Sequence, residues 1–297
     1  MDITGNALVT GGGSGMGRAC CLEFARQGVR GLMIADIDLE AAKKTKEEAE
    51  AAAVNFNFNA EVVELDVSLQ DSVQNAVNIT VDKFGRIDYA VHSTGLQDTE
   101  LPYVEKADFE GFQRQVNANV QGTSFVTRLV CNAMVAQKLE PADESISEHY
   151  KTRGSIVNLA SMVPSLSVLG HIDYGAAERA VLKITDTAAA LNIGYQIRVN
   201  CVCPVLQRTD FSMFDFDGES QEKLTDMFLR TIPMRRPIRA EEVANAAIFL
   251  CSPKSSFTTG SKMFLDGGMS LKYKGPQEKE EKEEDLESRE TYKFYIK

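Results

Sequence analysis

The sequence has no tryptophan, only three histidines and no Cys-x-x-C pair among its six cysteines. Scarce imidazoles and the lack of closely paired thiols argue against a zinc or iron–sulfur site, so no metal is predicted. Cys201 and Cys203 lie in an apolar run and are expected to be reduced core thiols. No run of eighteen apolar residues is present, and the N-terminal MDITGNALVT lacks a basic region followed by an apolar stretch. Neither a membrane span nor a signal peptide is predicted, and we expect a cytoplasmic protein.

Positive charge is also in short supply, since 32 Lys and Arg residues stand against 43 Asp and Glu residues, for a net charge of −11. Nucleic acid and anionic membranes would repel such a chain, so neither is expected as a partner. The 297 residues, 43% of them hydrophobic, are enough for a packed core in one large domain or two small ones. A small molecule is the expected ligand.

Short apolar runs alternate along the chain with segments of helical spacing. The predicted strands are residues 6–11, 31–36, 62–67, 87–95, 154–161, 197–204 and 261–268, and the predicted helices are 15–28, 38–53, 69–84, 110–137, 174–193 and 241–251. Strands read as nearly continuous apolar runs when helices cover both faces of a parallel sheet. The pattern predicts an α/β fold, a single doubly wound Rossmann-like domain with a seven-stranded, mostly parallel sheet over residues 1–274.

Two segments depart from this alternation. Residues 139–153, LEPADESISEHYKTR, are a polar insertion that we interpret as a surface loop. Residues 275–297 are dense in Glu and Lys and are interpreted as a charged tail, either a solvated helix or a disordered segment.

A glycine-rich turn, TGGGSGMG at residues 10–17, follows the first predicted strand and opens the first predicted helix. Glycines at 11, 15 and 17 allow a sharp turn, a close approach to a pyrophosphate and tight packing of the helix on the sheet. The helix N-terminus itself favours negative charge. An acidic residue also ends the second strand, which completes the context of a dinucleotide-binding site.

That acidic residue is Asp36, in the run LMIADID. A carboxylate there accepts hydrogen bonds from both ribose hydroxyls of the adenosine half, whereas it repels a 2′-phosphate. The sequence therefore favours NAD over NADP, although Arg18 and Lys43 or Lys44 are cations that could reach a phosphate.

Several motifs, each present once, occur in a fixed order along residues 3–270. They are the TGxxxGxG of the glycine-rich turn, LDV at 65–67, the N-x-x-G from Asn119 to Gly122, Ser161 placed thirteen residues before Tyr174, and FLDGG at 264–268. In this order and spacing the chain resembles the short-chain dehydrogenase/reductase family. The resemblance implies an NAD(P)-dependent oxidoreductase acting on a small molecule.

The resemblance also assigns roles to individual positions. It implies cofactor-binding roles for Gly11, Ser14, Gly15, Met16, Gly17, Asp36, Asp66, Val67, Gly95, Tyr174 and Thr209. It implies catalytic roles for Asn119, Ser161, Tyr174 and the residue at 178. In this family the tyrosine gives or takes the proton, the serine polarises the carbonyl, and the asparagine holds a water in a proton relay.

The sequence breaks the family pattern at one decisive position. The family has Tyr-x-x-x-Lys, and this chain has Tyr174-Gly-Ala-Ala-Glu178. The lysine normally grips the nicotinamide ribose and, as a cation, lowers the tyrosine pKa. A unit charge about 4 Å from a phenolate is worth roughly 4 kcal/mol at an effective dielectric of about 20. Reversing that charge shifts the balance by on the order of five to six pKa units, so a charged Glu178 predicts a protonated tyrosine, suited to reduction rather than to alcohol oxidation.

Other departures lie around the same site. The usual Asn-Asn-Ala-Gly after the fourth strand reads His92-Ser93-Thr94-Gly95, and we interpret all three histidines, at 92, 149 and 171, as structural or surface residues. Phenylalanines and methionines recur between Phe211 and Phe228, in the segment expected to cover the substrate. They suit a bulky apolar ligand, or they merely pack that segment against the sheet.

Two classes of function remain open. The first is an NAD-dependent reductase of a carbonyl or imine in a bulky apolar molecule, with a weakened proton relay. The second is a non-redox cyclase, isomerase or dehydratase that reuses the same cleft, in secondary metabolism for example, because a fold does not guarantee its usual chemistry. The helices at 110–137 and 174–193 match those through which the family forms dimers and tetramers, so a homo-oligomer is expected.

Overall fold

A computed structural model describes residues 3–96, 109–141, 151–162, 172–205 and 229–271. A seven-stranded parallel sheet with strand order β3-β2-β1-β4-β7-β8-β9 forms its centre. The strands are β1 (Asn6–Thr10), β2 (Gly31–Asp36), β3 (Asn59–Glu64), β4 (Tyr89–His92), β7 (Gly154–Leu159), β8 (Ile197–Pro204) and β9 (Lys262–Leu265), while β5 (Glu140–Pro141) and β6 (Lys151–Thr152) form a separate antiparallel pair.

Helices cover both faces of the sheet. They are α1 (Gly15–Arg26), α2 (Leu39–Ala52), α3 (Gln70–Phe84), α4 (Phe109–Gln115), α5 (Gly122–Ala136), α6 (Ile172–Asn192) and α7 (Ala240–Cys251). Helices α1 and α7 pack on one face, and α3, α5 and α6 contribute to the core on the other. This arrangement confirms the predicted doubly wound α/β fold.

The strand order reverses between β1 and β4. From that point β2 and β3 follow on one side, and β7, β8 and β9 on the other. In open α/β sheets a ligand binds in the crevice at such a switch point, outside the carboxyl ends of the strands. The glycine-rich turn follows β1 and residues 93–96 follow β4, so both lie at this edge.

The core confirms the interpretation of the cysteines. Every residue of β1, β4 and β8 is buried, as expected for strands covered on both faces. All six cysteines are free and buried, and the Sγ atoms of Cys201 and Cys203 lie 3.7 Å apart on one face of β8.

Several predicted elements differ from the structure. The strands predicted at 87–95 and 261–268 are shorter and run over 89–92 and 262–265. The third strand runs over 59–64 rather than 62–67. Leu65 and Val67 are apolar because, after the strand has ended, both are buried in the core cluster to which α3 and α5 contribute. The single helix predicted at 110–137 is interrupted by a π-helical turn, Val116–Gln121, between α4 and α5.

The polar insertion at 139–153 contains the β5–β6 pair, so it is not entirely a loop. Residues 142–150 lie outside the described residues, as do His149, His171, Thr209, the segment 211–228 and the tail 275–297. Within the described ranges, no helix combines the length and apolar character needed to cross a bilayer.

Candidate active site

The backbone of the glycine-rich turn requires glycine at three positions, either for its dihedral angles or for lack of space. Gly11 and Gly15 have φ values of +65° and +49°, in the left-handed region that favours glycine. A Cβ on Gly17 would lie 2.0 Å from the carbonyl oxygen of Gly11, so α1 approaches the turn as closely as two backbones allow. A larger residue at 17 would push the helix away from the turn.

The N-terminus of α1 is open toward the crevice side of this turn. Ser14 precedes the helix in an extended conformation, and its side chain makes no capping hydrogen bond. The first turn carries no acidic residue, and Ser14 and Gly15 are exposed, whereas Met16 is half-buried against the core. Free N–H groups at a helix N-terminus favour an anion, so this end of α1 fits a pyrophosphate.

Asp36 is held against the same turn. Its Oδ2 accepts a hydrogen bond from the backbone N–H of Gly13 at 2.8 Å, and its Oδ1 accepts one from that of Asp38 at 3.0 Å. The carboxylate therefore lies beside the glycine-rich turn, where an adenosine ribose would have to pass. This cradle and the open helix end together fit a dinucleotide.

Two of the three nearby cations, Arg18 and Lys43, are engaged with acidic partners. The Arg18 guanidinium pairs with Glu48, and the Lys43 ammonium lies 2.6 Å from Glu40. Both pairs are partly exposed to solvent, so they contribute little to stability. They do neutralise two of the charges that would otherwise attract a 2′-phosphate.

Asp66 and Val67 organise the connection from β3 to α3. The Asp66 Oδ1 accepts hydrogen bonds from the backbone N–H of Ser68 at 2.9 Å and from its hydroxyl at 2.6 Å. Val67 is buried, and a Cβ on Gly122 would lie 2.8 Å from its Cγ2. Contact of either residue with adenine stays a prediction.

Asn119 sits in the π-helical turn and clamps the segment that follows β4. Its Oδ1 accepts from the backbone N–H of Leu96 at 2.7 Å, and its Nδ2 donates to the Leu96 carbonyl at 2.8 Å. A Cβ on Gly95 would lie 3.6 Å from the same Oδ1. Both polar ends of the amide are used in positioning this backbone, and a role in a proton relay stays a prediction.

Ser161, Tyr174 and Glu178 come from two neighbouring elements. Ser161 is buried just beyond the carboxyl end of β7, and α6 carries Tyr174, half-buried, one turn before Glu178. The backbone N–H of Ser161 donates to the Glu178 carboxyl group. The structure therefore brings the predicted serine into direct contact with the residue that replaces the family lysine.

The charge on Glu178 differs from the sequence expectation. The residue is only 5% exposed, and burial raises the pKa of its carboxyl group to about 8, against the opposing effect of the Ser161 N–H. Its Oε2 is buried and has no hydrogen-bond partner among the described residues. The expectation of a negative charge at neutral pH is wrong, because the desolvation of an ion in this position outweighs its one hydrogen bond.

A neutral Glu178 does not repel the tyrosine phenolate near pH 7, so only the loss of the lysine cation affects Tyr174 there. A lysine at position 178 would supply an attraction worth roughly 4 kcal/mol, or about three pKa units, at an effective dielectric of about 20, and a neutral carboxyl group does not supply it. The added repulsion from a carboxylate grows as Glu178 ionises around pH 8 and is complete only above it.

Replacing Glu178 by glutamine is expected to change how stability depends on pH. Because the pKa is raised from 4.5 to about 8 in the folded state, the stability contributed by Glu178 is complete below about pH 4.5. It is lost progressively as the pH rises to about 8. Glu178→Gln should therefore unfold like the wild type at low pH and gain on the order of a few kcal/mol relative to it by pH 8.

Urea unfolding across that pH range measures the difference. Glu47→Gln makes the same chemical change at an exposed position of α2 and serves as the control. Parallel curves for Glu178→Gln and the wild type would show that Glu178 ionises normally.

The described residues contain no group of three or more His, Cys, Asp and Glu side chains arranged to hold a metal ion.

One buried residue of the site, His92, was not predicted to have a functional role. His92 contacts hydroxyl groups on both sides, and the only sequence signal for it is its place in the altered His-Ser-Thr-Gly segment.

Comparison with known proteins gives a family match and close relatives. The family described as Enoyl-(Acyl carrier protein) reductase matches residues 11–270. The short-chain dehydrogenase srdC of Neurospora crassa is 41% identical over 271 residues, which are 91% of this chain and 98% of that protein.

Solved structures agree with this chain over most of its length. A short-chain type dehydrogenase/reductase from Mycobacterium ulcerans matches with a TM-score of 0.79 and 27% identity, over 91% of this chain and 92% of that one. A 3-ketoacyl-(acyl-carrier-protein) reductase from Brucella melitensis, complexed with NADH, matches with a TM-score of 0.75 and 28% identity, over 90% and 98%.

Proposed function

The chain belongs to the short-chain dehydrogenase/reductase family of NAD(P)-dependent oxidoreductases, and we propose that it is an NADH-dependent reductase of a carbonyl or imine in a bulky apolar small molecule. The observation that favours reduction over alcohol oxidation is the buried carboxyl group of Glu178. It accepts a hydrogen bond from the Ser161 N–H at the position where the family has a lysine.

The catalytic groups divide the work of reduction. A bound NADH supplies the hydride. The Ser161 hydroxyl donates a hydrogen bond to the substrate oxygen and so stabilises the negative charge that develops on it. The Tyr174 hydroxyl then gives its proton to that oxygen, which is far more basic than a phenolate. Asn119 has a positioning role, because its side-chain amide holds the backbone N–H and carbonyl of Leu96.

The charge of the residue at 178 determines whether the phenol or the phenolate form of Tyr174 is stabilised. An unperturbed phenol has a pKa of about 10, and a neighbouring cation is the usual means of lowering it. Glu178 is neutral near pH 7 and cannot act as that cation. The phenol is therefore available as an acid for reduction, whereas alcohol oxidation needs the phenolate as a base.

Cofactor preference is the second part of the proposal. Asp36 accepts hydrogen bonds at the edge of the glycine-rich turn, and Arg18 and Lys43 are paired with glutamates. Both observations support NAD(H) over NADP(H). The Asp36 carboxylate would repel a 2′-phosphate, and the charges of Arg18 and Lys43 are already paired with glutamates.

Asp36→Asn is expected to shift the ratio of NADPH to NADH affinity by about tenfold or more toward NADPH, since one unit of repulsion is removed at short range. The asparagine amide oxygen can still accept from the Gly13 N–H, which keeps the contact with the glycine-rich turn, whereas the hydrogen bond from the Asp38 N–H is lost. Dinucleotide fluorescence titrations measure both affinities. Glu64→Ala removes a carboxylate from the end of the adjacent strand and is the control. An unchanged ratio in Asp36→Asn would show that Asp36 does not select the cofactor.

The proposed reaction is tested by following NADH absorbance with the purified protein and a panel of ketones that includes polycyclic and small aliphatic members. Faster NADH consumption with the bulky ketones is the expected result. Conversion of a substrate with no net change in NADH would favour the non-redox alternative, with the neutral Glu178 as its acid.

We also propose that the chain forms a homo-oligomer through the helices α4 to α6. Phe109 and Phe112 on α4 and Leu191 on α6 are exposed apolar residues on those helices. Light scattering after gel filtration should give a mass of two or four chains, and a monomer at micromolar concentration would contradict the proposal.

A further inference from the structure

A continuous chain of hydrogen bonds runs through the buried centre of the site. The Thr94 hydroxyl donates to Thr10 Oγ1 at 3.1 Å, and Thr10 Oγ1 lies 2.7 Å from Nδ1 of His92. On the other side of the ring, Nε2 lies 3.1 Å from Thr123 Oγ1, which donates to the Asn119 carbonyl at 2.6 Å. Thr10, His92 and Thr123 are each at most 2% exposed.

The direction of every bond follows from the number of hydrogens available. Thr123 has one hydroxyl hydrogen, and it is used on the Asn119 carbonyl, so Thr123 must accept from the imidazole. Nε2 therefore carries the ring hydrogen. Nδ1 is left bare and accepts from the Thr10 hydroxyl, which in turn accepts from Thr94. Burial lowers the pKa of His92 to about 4, so the ring is neutral at physiological pH, as this pattern requires.

This chain of hydrogen bonds, the His92 bridge, connects three backbone segments and fixes their positions relative to one another. Thr10 immediately precedes Gly11, and a Cβ on Gly11 would lie 2.9 Å from the carbonyl oxygen of Ser93. Asn119 holds Leu96 from the π-helical turn. The glycine-rich turn, the segment after β4 and the π-helical turn thus meet at His92.

We propose that His92 is a positioning residue, whose neutral ring fixes the glycine-rich turn relative to the Asn119 turn and thereby sets the affinity for the dinucleotide. This inference rests on the proposed cofactor binding. An imidazole suits the task because it presents one donor and one acceptor at opposite edges of a rigid ring, and so spans two hydroxyl groups on different elements.

The first test reads the hydrogen-bond pattern without any activity measurement. Nitrogen NMR of uniformly labelled wild-type protein distinguishes the two neutral tautomers of histidine. The sequence has three histidines, so His149→Gln and His171→Gln variants assign the His92 signals. The expected result is a neutral ring with hydrogen on Nε2 at pH 7. Hydrogen on Nδ1, or an imidazolium at that pH, would overturn the inference.

The second test compares two matched threonines. Thr123 and Thr80 are both buried in helices, and each donates to the carbonyl four residues earlier, but only Thr123 also contacts His92. Thr123→Val is expected to raise the Kd for NADH by about fivefold or more, the value of one lost hydrogen bond, whereas Thr80→Val should leave it unchanged. Thermal unfolding of both variants measures their loss of stability separately.

His92→Asn supplies the rescue. A side-chain amide also presents a donor NH2 group and an acceptor oxygen, so His92→Asn should bind NADH more tightly than His92→Phe, which fills similar volume with no polar group. Equal Kd values for the two threonine variants, or for the two His92 variants, would overturn the inference. If the wild type binds neither NADH nor NADPH, the proposed function fails, and the tautomer at His92 then decides separately whether the bridge exists.

Discussion

Tyr174→Phe is expected to lower kcat for ketone reduction by about two to four orders of magnitude, the usual cost of losing a general acid. The hydroxyl is the group we assign to protonate the substrate oxygen, and phenylalanine keeps the ring but not the proton. NADH affinity should change by only about threefold, since one hydroxyl contact is lost. Stopped-flow mixing of the enzyme–NADH complex with substrate measures the chemical step directly.

Tyr195→Phe is the matched control, because Tyr195 follows the far end of α6 and is largely exposed. It should retain wild-type kcat. A Tyr174→Phe enzyme that reduces ketones within a few-fold of the wild-type rate would show that another group donates the proton. In that case the neutral carboxyl group of Glu178 would be the first candidate.

Glu178→Lys is expected to create an oxidative pH profile that the wild type lacks. A cation about 4 Å from the phenolate stabilises it by roughly 4 kcal/mol at an effective dielectric of about 20, which corresponds to about three pKa units. Alcohol oxidation by the variant should then reach a plateau near neutral pH. Its kcat at pH 7 should exceed the wild-type value by about tenfold to a thousandfold.

Glu178→Gln separates the new charge from the loss of the old side chain. Glutamine is neutral, as Glu178 is near pH 7, so oxidation at that pH should be close to that of the wild type. Above pH 8 the wild-type carboxylate opposes the phenolate, and the glutamine variant should oxidise alcohols faster. An oxidative profile in Glu178→Lys that matches Glu178→Gln would show that position 178 has no electrostatic effect on the tyrosine.

Local sequence patterns were sufficient to predict the parts of the site that depend on the backbone. The glycines at 11, 15 and 17 are needed by a turn whose φ values and close approach exclude side chains, so spacing alone revealed them. Asp36 was recognisable because it ends the second predicted strand, which follows the glycine-rich turn. The alternation of apolar runs and helical segments predicted the sheet for the same reason, since covered strands are apolar on both faces.

Features that depend on tertiary contacts were not predictable in the same way. The π-helical turn around Asn119 has no periodic signal, because it differs from an α-helix only in its hydrogen-bond spacing. The neutrality of Glu178 follows from its burial next to β7, and a sequence gives only the unperturbed carboxylate. His92 was interpreted only as a structural or surface residue, and its bridging contacts became visible only when β1, β4 and α5 were brought together.

With glutamate in place of lysine at position 178, the Tyr174 phenol is expected to stay protonated, and the pH dependence of alcohol oxidation by the wild-type enzyme measures this. At any one pH the overall equilibrium fixes the ratio of kcat/KM in the two directions, so the shape of the profile carries the information. We expect kcat/KM for oxidation to rise about tenfold per pH unit from pH 6 to 8 without a plateau, as for a base that is still protonated. A plateau beginning near pH 7 would mean that the phenolate is already formed there, and that the residue at 178 does not keep the tyrosine protonated.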